Sequence, residues 1–175
     1  MLAHNHDACY ATMRGQAYEA YIHRNFDRLL SGQKLKAFLL DPNGFVKETH
    51  IKIPKFSSSS HFTNLGLLLD KVYGIPDSRS YSAVDAVCKP CWAFQMTVSK
   101  DHGLVIEGLQ KVKEGLGLRA GDPLYVVMVC PPDVAHLVRW QPLLRSKKIV
   151  KAPRGLKPGE GLLQYCVSIE WAVEC

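Results

Sequence analysis

The order of apolar repeats in the chain predicts an α/β (α+β) fold, one mixed central β-sheet flanked by helices. Two stretches, 11–30 and 103–116, carry apolar residues at helical spacing, and four strand-like runs pair off around turn-prone segments at 41–44 and 89–90. A strongly apolar strand candidate at 124–130 follows the second helix. With 175 residues, 47% of them hydrophobic and 22% charged, the chain suits one domain spanning 1–175 and excludes wholesale disorder or fibrous repetition.

The first helix is expected over 11–30, where Met13, Ala17, Tyr21, Phe26, Leu29 and Leu30 approximate one face and Ser31-Gly32 supplies a stop. Residues 1–12 are read as a frayed N-terminal segment. Strands at 34–41 and 45–55 flank Asp41-Pro42-Asn43-Gly44, a turn whose Asn-Gly pair tolerates positive φ, so they form a hairpin. The serine tract 57–60 marks a loop, and 62–72 is open between a short helix and a buried strand. Runs 82–88 and 92–99, joined through Lys89-Pro90, make a second hairpin.

The second helix, 103–116, places Leu104, Leu109, Val112 and Leu116 on roughly one face and ends at Gly117. After the strand at 124–130, Pro131-Pro132-Asp133 opens a short helix through about Gln141, proline being harmless in a first turn. A loop over 139–157 holds seven basic residues and no acid, and a last strand is expected at 162–171. No internal repeat, phosphate-binding loop or dinucleotide fingerprint occurs, so nucleotide binding is not indicated.

No apolar stretch approaches the roughly 18 residues of a membrane span, so no membrane partner is expected. The start, MLAHNHDACY, has neither the basic nor the apolar region of a secretory signal. A formal charge of +6 favours acidic partners such as nucleic acid.

Six cysteines in a chain able to bury a full core are expected to be reduced thiols. Cys88 and Cys91 form the Cys-x-x-Cys pair. A zinc site wants a second such pair, which Cys9, Cys130, Cys166 and Cys175 do not supply; His4, His6 and Cys9 are the other candidate ligands. The redox reading wants the pair to open a helix, whereas this one follows a strand.

Three side chains point to chemistry. Asp85 lies in an apolar strand, where a carboxylate is costly unless paired, protonated or bound to a cation. Gln95 interrupts the neighbouring apolar strand, sharing one face with Thr97 and Ser99, and Glu19 sits midway along the first helix. Such an oxygen-rich set suits a hard divalent cation, which polarises phosphate. Structural readings stand beside this one: Asp85 capping a turn, Gln95 bonded to a neighbouring strand, Glu19 on a solvated face.

The segments Arg14-Gly-Gln-Ala-Tyr-Glu-Ala-Tyr-Ile-His23, Tyr81-Ser-Ala-Val-Asp-Ala86 and Trp92-Ala-Phe-Gln-Met-Thr-Val-Ser99 with His102 resemble the C-terminal domain of Crinkler and RHS-type (retrotransposon hot spot) proteins. The resemblance runs from about Met13 to the final strand. That family is similar to the PD-(D/E)xK nucleases, which implies a restriction-endonuclease-like core and hydrolysis of DNA or RNA phosphodiesters with Mg²⁺ or Mn²⁺. It makes Glu19 the helix acid, Asp85 the main metal ligand and Gln95 the second strand ligand, and it puts Thr97 where the family has lysine. Lys100 is the nearest replacement for that lysine and His102 a candidate base. Thr97 cannot carry the charge lysine would supply.

Within the basic stretch, Arg139, Arg145, Lys147, Lys148, Lys151 and Arg154 are candidate phosphate contacts, a solvated loop being the alternative. Arg145-Ser-Lys-Lys148 is a weak nuclear-import pattern. Two functions follow: a metal-dependent nuclease, or a catalytically inactive module of the same fold that binds nucleic acid or a host protein. A third reading is a small zinc or redox domain built on Cys88 and Cys91. The resemblance also implies a secreted effector or toxin acting in a host cell, often in its nucleus. Family members place a translocation segment and a P-loop NTPase ahead of this domain, and neither pattern is read in these 175 residues.

Overall fold

The computed structural model describes residues 3–44, 46–77 and 81–171, with side chains from Tyr10 onward. The expected strand start at Phe45, the side chains of His4, His6 and Cys9, and Cys175 lie outside the described residues.

Helix α1 (Ala3–Arg24) runs through most of the segment read as frayed, and stops earlier than its apolar spacing suggests. Asn25 ends it: its backbone N–H donates to the carbonyls of Tyr21 and Ile22, and its side-chain amide donates to Tyr21 as well. A short α2 (Phe26–Leu29) follows, and Gly32, at φ +69°, turns the chain so that its N–H meets the Pro54 carbonyl. Strands β1 (Lys34–Leu40) and β2 (Val46–Lys52) form the expected hairpin. Asp41 closes its turn, accepting Asn43 N–H on the side chain at 2.7 Å and Gly44 N–H on its carbonyl at 3.0 Å, with Gly44 at φ +87°.

The serine tract is not a loop. Ser58–Phe62 forms β3, parallel to β4 (Val72–Pro76), because an edge strand needs one paired row of main-chain groups and no apolar face of its own. The segment left open at 62–72 is mostly irregular, with one 3₁₀ turn, Leu65–Leu67, whose Gly66 N–H is accepted by Asn64. The second hairpin is present but shorter than expected, as β5 (Ala86–Cys88) and β6 (Trp92–Met96).

After β7 (Leu104–Val105), helix α3 (Ile106–Gly115) ends with Gly117 at φ +71°. Strand β8 (Leu124–Cys130) matches its sequence reading. The expected helix through Gln141 is only α4 (Pro132–Ala135). Residues beyond it turn away because the main chain of Gln141 bonds both ends of the Gln164 amide, at 2.8 and 3.0 Å. The basic loop contains a small hairpin, β9 (Leu143–Arg145) and β10 (Lys148–Ile149), turned at Ser146 and Lys147 with positive φ. The chain returns as β11 (Leu162–Ser168).

These elements build an α+β fold on an eight-stranded mixed sheet ordered β2-β1-β11-β8-β6-β5-β4-β3, with a small sheet β10-β9-β7 beside it. β8 runs parallel to β6 and β11 and is buried on both faces. Its side chains alternate between two cores. Val127 and Val129 join Phe94 from β6 and Tyr18 and Ile22 from α1. Val126 and Met128 join Ala93 from β6, Leu109 and Val112 from α3 and Val134 and Ala135 from α4. No helix among the described residues is long and apolar enough to cross a membrane.

Lys113 secures one end of the sheet. It is buried on α3, and its ammonium donates to the carbonyls of Asp122 at 2.6 Å, Gly155 at 2.8 Å and Gly161 at 3.3 Å, just ahead of β8 and β11. Burial holds it below the usual lysine range, with Asp122 opposing. Lys113→Met keeps the length and strips the charged donor from these carbonyls, so the urea midpoint should fall by the equivalent of about 2–4 kcal/mol at unchanged slope. A shift below about 0.5 kcal/mol would show that water replaces the ammonium without penalty.

Candidate functional site

The site is set by how β5 begins. Asp85 precedes β5, and its N–H donates to the Phe94 carbonyl at 2.8 Å, extending the β5–β6 ladder by one bond. Its carboxylate Oδ2 then accepts Met96 N–H at 2.7 Å and the Gln95 Nε2 amide at 2.6 Å. A side chain thus serves as acceptor for the main chain where β6 ends. Gln95 can reach it because Phe94 and Met96 turn to the α1 core, leaving Gln95 buried on the opposite face.

Glu19, on α1, and Asp85 line one cavity of about 230 Å³, with Asp77, Tyr81 and Ser82 at its walls. Burial pushes the Asp85 carboxyl up to about 7, and the Glu19 charge adds to this; the Met96 and Gln95 hydrogen bonds pull the other way. One helical turn from Glu19, His23 Nδ1 shares a hydrogen bond of 3.1 Å with the Tyr73 hydroxyl, and its Nε2 lies 3.5 Å from Glu19 Oε1. Tyr73 is fully buried, and burial followed by the Asp85 and Glu19 charges holds its phenol well above the usual range.

Among the described residues, two buried side-chain polar atoms have no hydrogen-bond partner: His23 Nε2 and Gln95 Oε1. Both belong to this group of residues. Buried polar atoms are rarely left unpaired, and such atoms beside a shifted carboxylate mark a site that a ligand can complete.

Asp85 links the other two, sharing a cavity with Glu19 and a hydrogen bond with Gln95, and the remaining candidates lie elsewhere. The Thr97 hydroxyl is engaged by its own turn, accepting Ser99 N–H at 3.0 Å and donating to the Ser99 carbonyl at 3.2 Å. Lys100 is exposed, and its carbonyl accepts the Gln141 amide at 2.9 Å. His102 donates its N–H to Gln141 Oε1, and burial lowers the pKa of its imidazole.

In the basic stretch, Arg139 bonds the carbonyls of His136 and Val138, and Arg145 pairs with Glu107 at 2.9 Å. Lys147 and Lys148 lie exposed on the β9–β10 hairpin, and Lys151 and Arg154 are exposed further on. Cys88 and Cys91 flank the β5–β6 turn as free thiols; burial pushes Cys88 up to about 12 and Cys91 upward as well.

Sequence reasoning passed over His23, Tyr73, Asp77 and Gln141. His23 stands four residues from Glu19, on the same helix face, and that spacing was a usable signal. Tyr73 was hidden with its strand. Asp77 and Gln141 carry no local pattern that sets them apart.

Among the described residues, no group of three or more His, Cys, Asp and Glu side chains gathers closely enough to hold a metal ion. Mg²⁺ and its analogues do not need such a cage, since they keep several waters and take one or two carboxylates from the protein. The carboxylates of Asp85 and Glu19, which line one cavity, fit that lesser demand. No family model matches the chain, and no curated protein or solved structure matches it.

Between the ordinary aspartate range and about pH 7, native Asp85 keeps a proton that the unfolded chain has released. Stability therefore falls as pH rises through that window and levels off above it. Asp85→Asn can still accept Met96 N–H and offers an N–H to Gln95 Oε1. It should flatten the pH dependence between 4 and 7 and raise stability at pH 8 by on the order of 3 kcal/mol. Urea unfolding at pH 5 and pH 8 checks this, and an unchanged slope with pH would remove the buried-acid assignment.

Proposed function

We propose that the chain is a metal-dependent nuclease-like domain hydrolysing phosphodiesters of DNA or RNA with Mg²⁺ or Mn²⁺ at the Asp85 cavity. The observation that supports it best is the meeting of Asp85 and Glu19 in one cavity, with Gln95, whose buried Oε1 is unpartnered, bonded to Asp85. Bound to these oxygens, a divalent cation would polarise a phosphate and lower the pKa of a water. Asp85, fixed by Met96 N–H, would give up its proton to a bound cation and present one negative charge. Gln95 is held by the hydrogen bond from its Nε2 to Asp85, and its Oε1 has no partner. Glu19 adds a second charge from α1, and His23 stands beside it, held by Tyr73.

The exposed cations Lys147, Lys148, Lys151 and Arg154 support contact with a phosphate backbone, which needs positive charge but no fixed sequence. Action as an effector inside a host cell, in its nucleus, belongs to the same proposal and rests on the family resemblance alone.

One observation favours a second reading, an inactive module of this fold that binds nucleic acid or a host protein. Thr97 is occupied by Ser99, and no lysine lines the Asp85 cavity. The transition-state charge then lacks the cation that lysine would supply.

Purified chain incubated with supercoiled plasmid and single-stranded DNA or RNA, in Mg²⁺, Mn²⁺ or chelator, separates the two. The nuclease reading expects metal-dependent cutting, stopped by chelator and reduced about a hundredfold or more in Asp85→Asn and Glu19→Gln. Salt-sensitive binding without cutting makes the inactive module the better reading. Cutting that Asp85→Asn leaves intact removes this cavity as its source.

A further inference from the structure

The sheet has two edges, and they differ. On β2 the open edge carries Lys47, Glu48, His50 and Lys52, with Glu48 paired to Lys36 at 3.0 Å, the kind of charged border that discourages strand addition. On β3, Ser58, Ser59 and Ser60 are exposed and uncharged. The Phe62 carbonyl accepts Asp77 N–H at 2.9 Å, so the main chain at Phe62 is turned toward β4. By the alternation of a strand, Ser59 and His61 then direct their N–H and C=O groups to the open side.

Beside this edge lies a groove of about 440 Å³. Ser58, Ser60 and Phe62 line it from β3, facing Leu68 and Val72. Phe62 fills one end, packing edge to face on Tyr81, while the two small serines leave the rest open. Leu67 and Leu69 stand at its rim, 78% and 73% exposed, an unusual state for two neighbouring leucines.

Charge marks the groove's direction. At the Ser58 end, Lys55 and Lys71 line an adjoining hollow of about 290 Å³ with Phe56 and no acid. That hollow abuts β3, because the Lys71 carbonyl holds both the N–H and the hydroxyl of Ser57. Neither lysine forms an ion pair among the described residues. At the other end, His61 and Asp77 are paired with each other at 2.9 Å.

We propose that the β3 edge and its groove dock an extended segment of another protein, which pairs with β3 as an added strand. The segment seats an aliphatic or aromatic side chain between Leu67, Leu69 and the two serines. It carries an acidic residue toward Lys55 and Lys71. Main-chain pairing supplies the affinity, and the groove and the lysines supply the selection. A nucleic-acid strand is the poorer occupant, since it offers neither the repeating amide pattern nor an aliphatic group for the groove.

The test is a displayed library of random ten-residue linear peptides, selected on the whole chain and counter-selected on Ser60→Phe, which fills the groove from a surface position. Peptides with an acid a few residues from an apolar side chain should emerge. They should bind the wild-type chain at least about tenfold more tightly than Ser60→Phe or Ser59→Pro, whose proline removes an outward N–H on an edge that tolerates it. Lys55→Glu should weaken them, and methylating alternate peptide nitrogens should abolish binding. Matching thermal unfolding of the variants shows that they fold.

Failure to recover any peptide that discriminates wild type from both β3 variants overturns the proposal. So does a dimer of the chain dispersed by Ser59→Pro, or oligonucleotide binding lost in the same variants, since each assigns the edge to another occupant.

Discussion

A strand buried on both faces admits no water to its side chains, and β8 imposes that condition on everything around it. Leu124–Cys130 is apolar throughout, so each face must be covered: α1 on one side, α3 and α4 on the other. Its main chain must also be paired on both edges, which it achieves with two parallel neighbours, β6 and β11. Because the three strands run the same way, their carboxyl ends fall together. There Thr97 N–H meets the Val129 carbonyl and Ile169 N–H meets that of Cys130. Asp85, arriving on an antiparallel strand, reaches the carboxyl end of β6 at Met96. Ligands in open sheets of this kind commonly bind beyond the carboxyl ends of the strands, and the candidate site stands at such an end.

Buried polar groups are treated differently in different parts of the fold. At the amino ends, the Lys113 ammonium makes three hydrogen bonds to carbonyls, and its charge is spent on holding chain segments together. Gln141 is similarly complete: its side chain bonds Lys100, His102 and Arg139, while its main chain engages Gln164. Around Asp85 the account does not close. Gln95 Oε1 has no hydrogen-bond partner, His23 Nε2 has only its 3.5 Å contact with Glu19, and burial together with the Glu19 charge pushes the Asp85 carboxyl up. A fold that satisfies its structural polar groups elsewhere and leaves these unsatisfied carries a local penalty of the kind associated with function.

Much of the scaffold was legible because burial writes itself into alternation. β8 and both hairpins follow from apolar runs and turn residues. Asp85 and Gln95 stood out because each interrupts an apolar strand, whereas Glu19 interrupts no pattern and was read only from its place midway along the helix. What could not be read is what depends on partners distant in sequence. β4 contains Gly74 and Pro76, which argue against a strand. Yet Gly74 is there because a side chain would press within 2.6 Å of Leu68, and Pro76 closes the strand's end. β3 is a strand only because β4 lies beside it. Thr97 has the parity to join Gln95, but β6 stops at Met96 and the Thr97 hydroxyl closes a turn on Ser99 instead.

Asp77 connects the two surfaces that the fold leaves unfinished. Its carboxylate pairs with His61 at the far end of β3, and the same residue lines the cavity that holds Glu19 and Asp85. Its main chain fixes Phe62, which closes the end of the β3 groove. The open edge and the carboxylate cavity are therefore neighbours across a single residue at the end of β4. This arrangement follows from the short parallel pairing of β3 with β4, which brings the edge strand to its end where the chain leaves β4. The negative charge of Asp77 is met by a histidine on the edge strand.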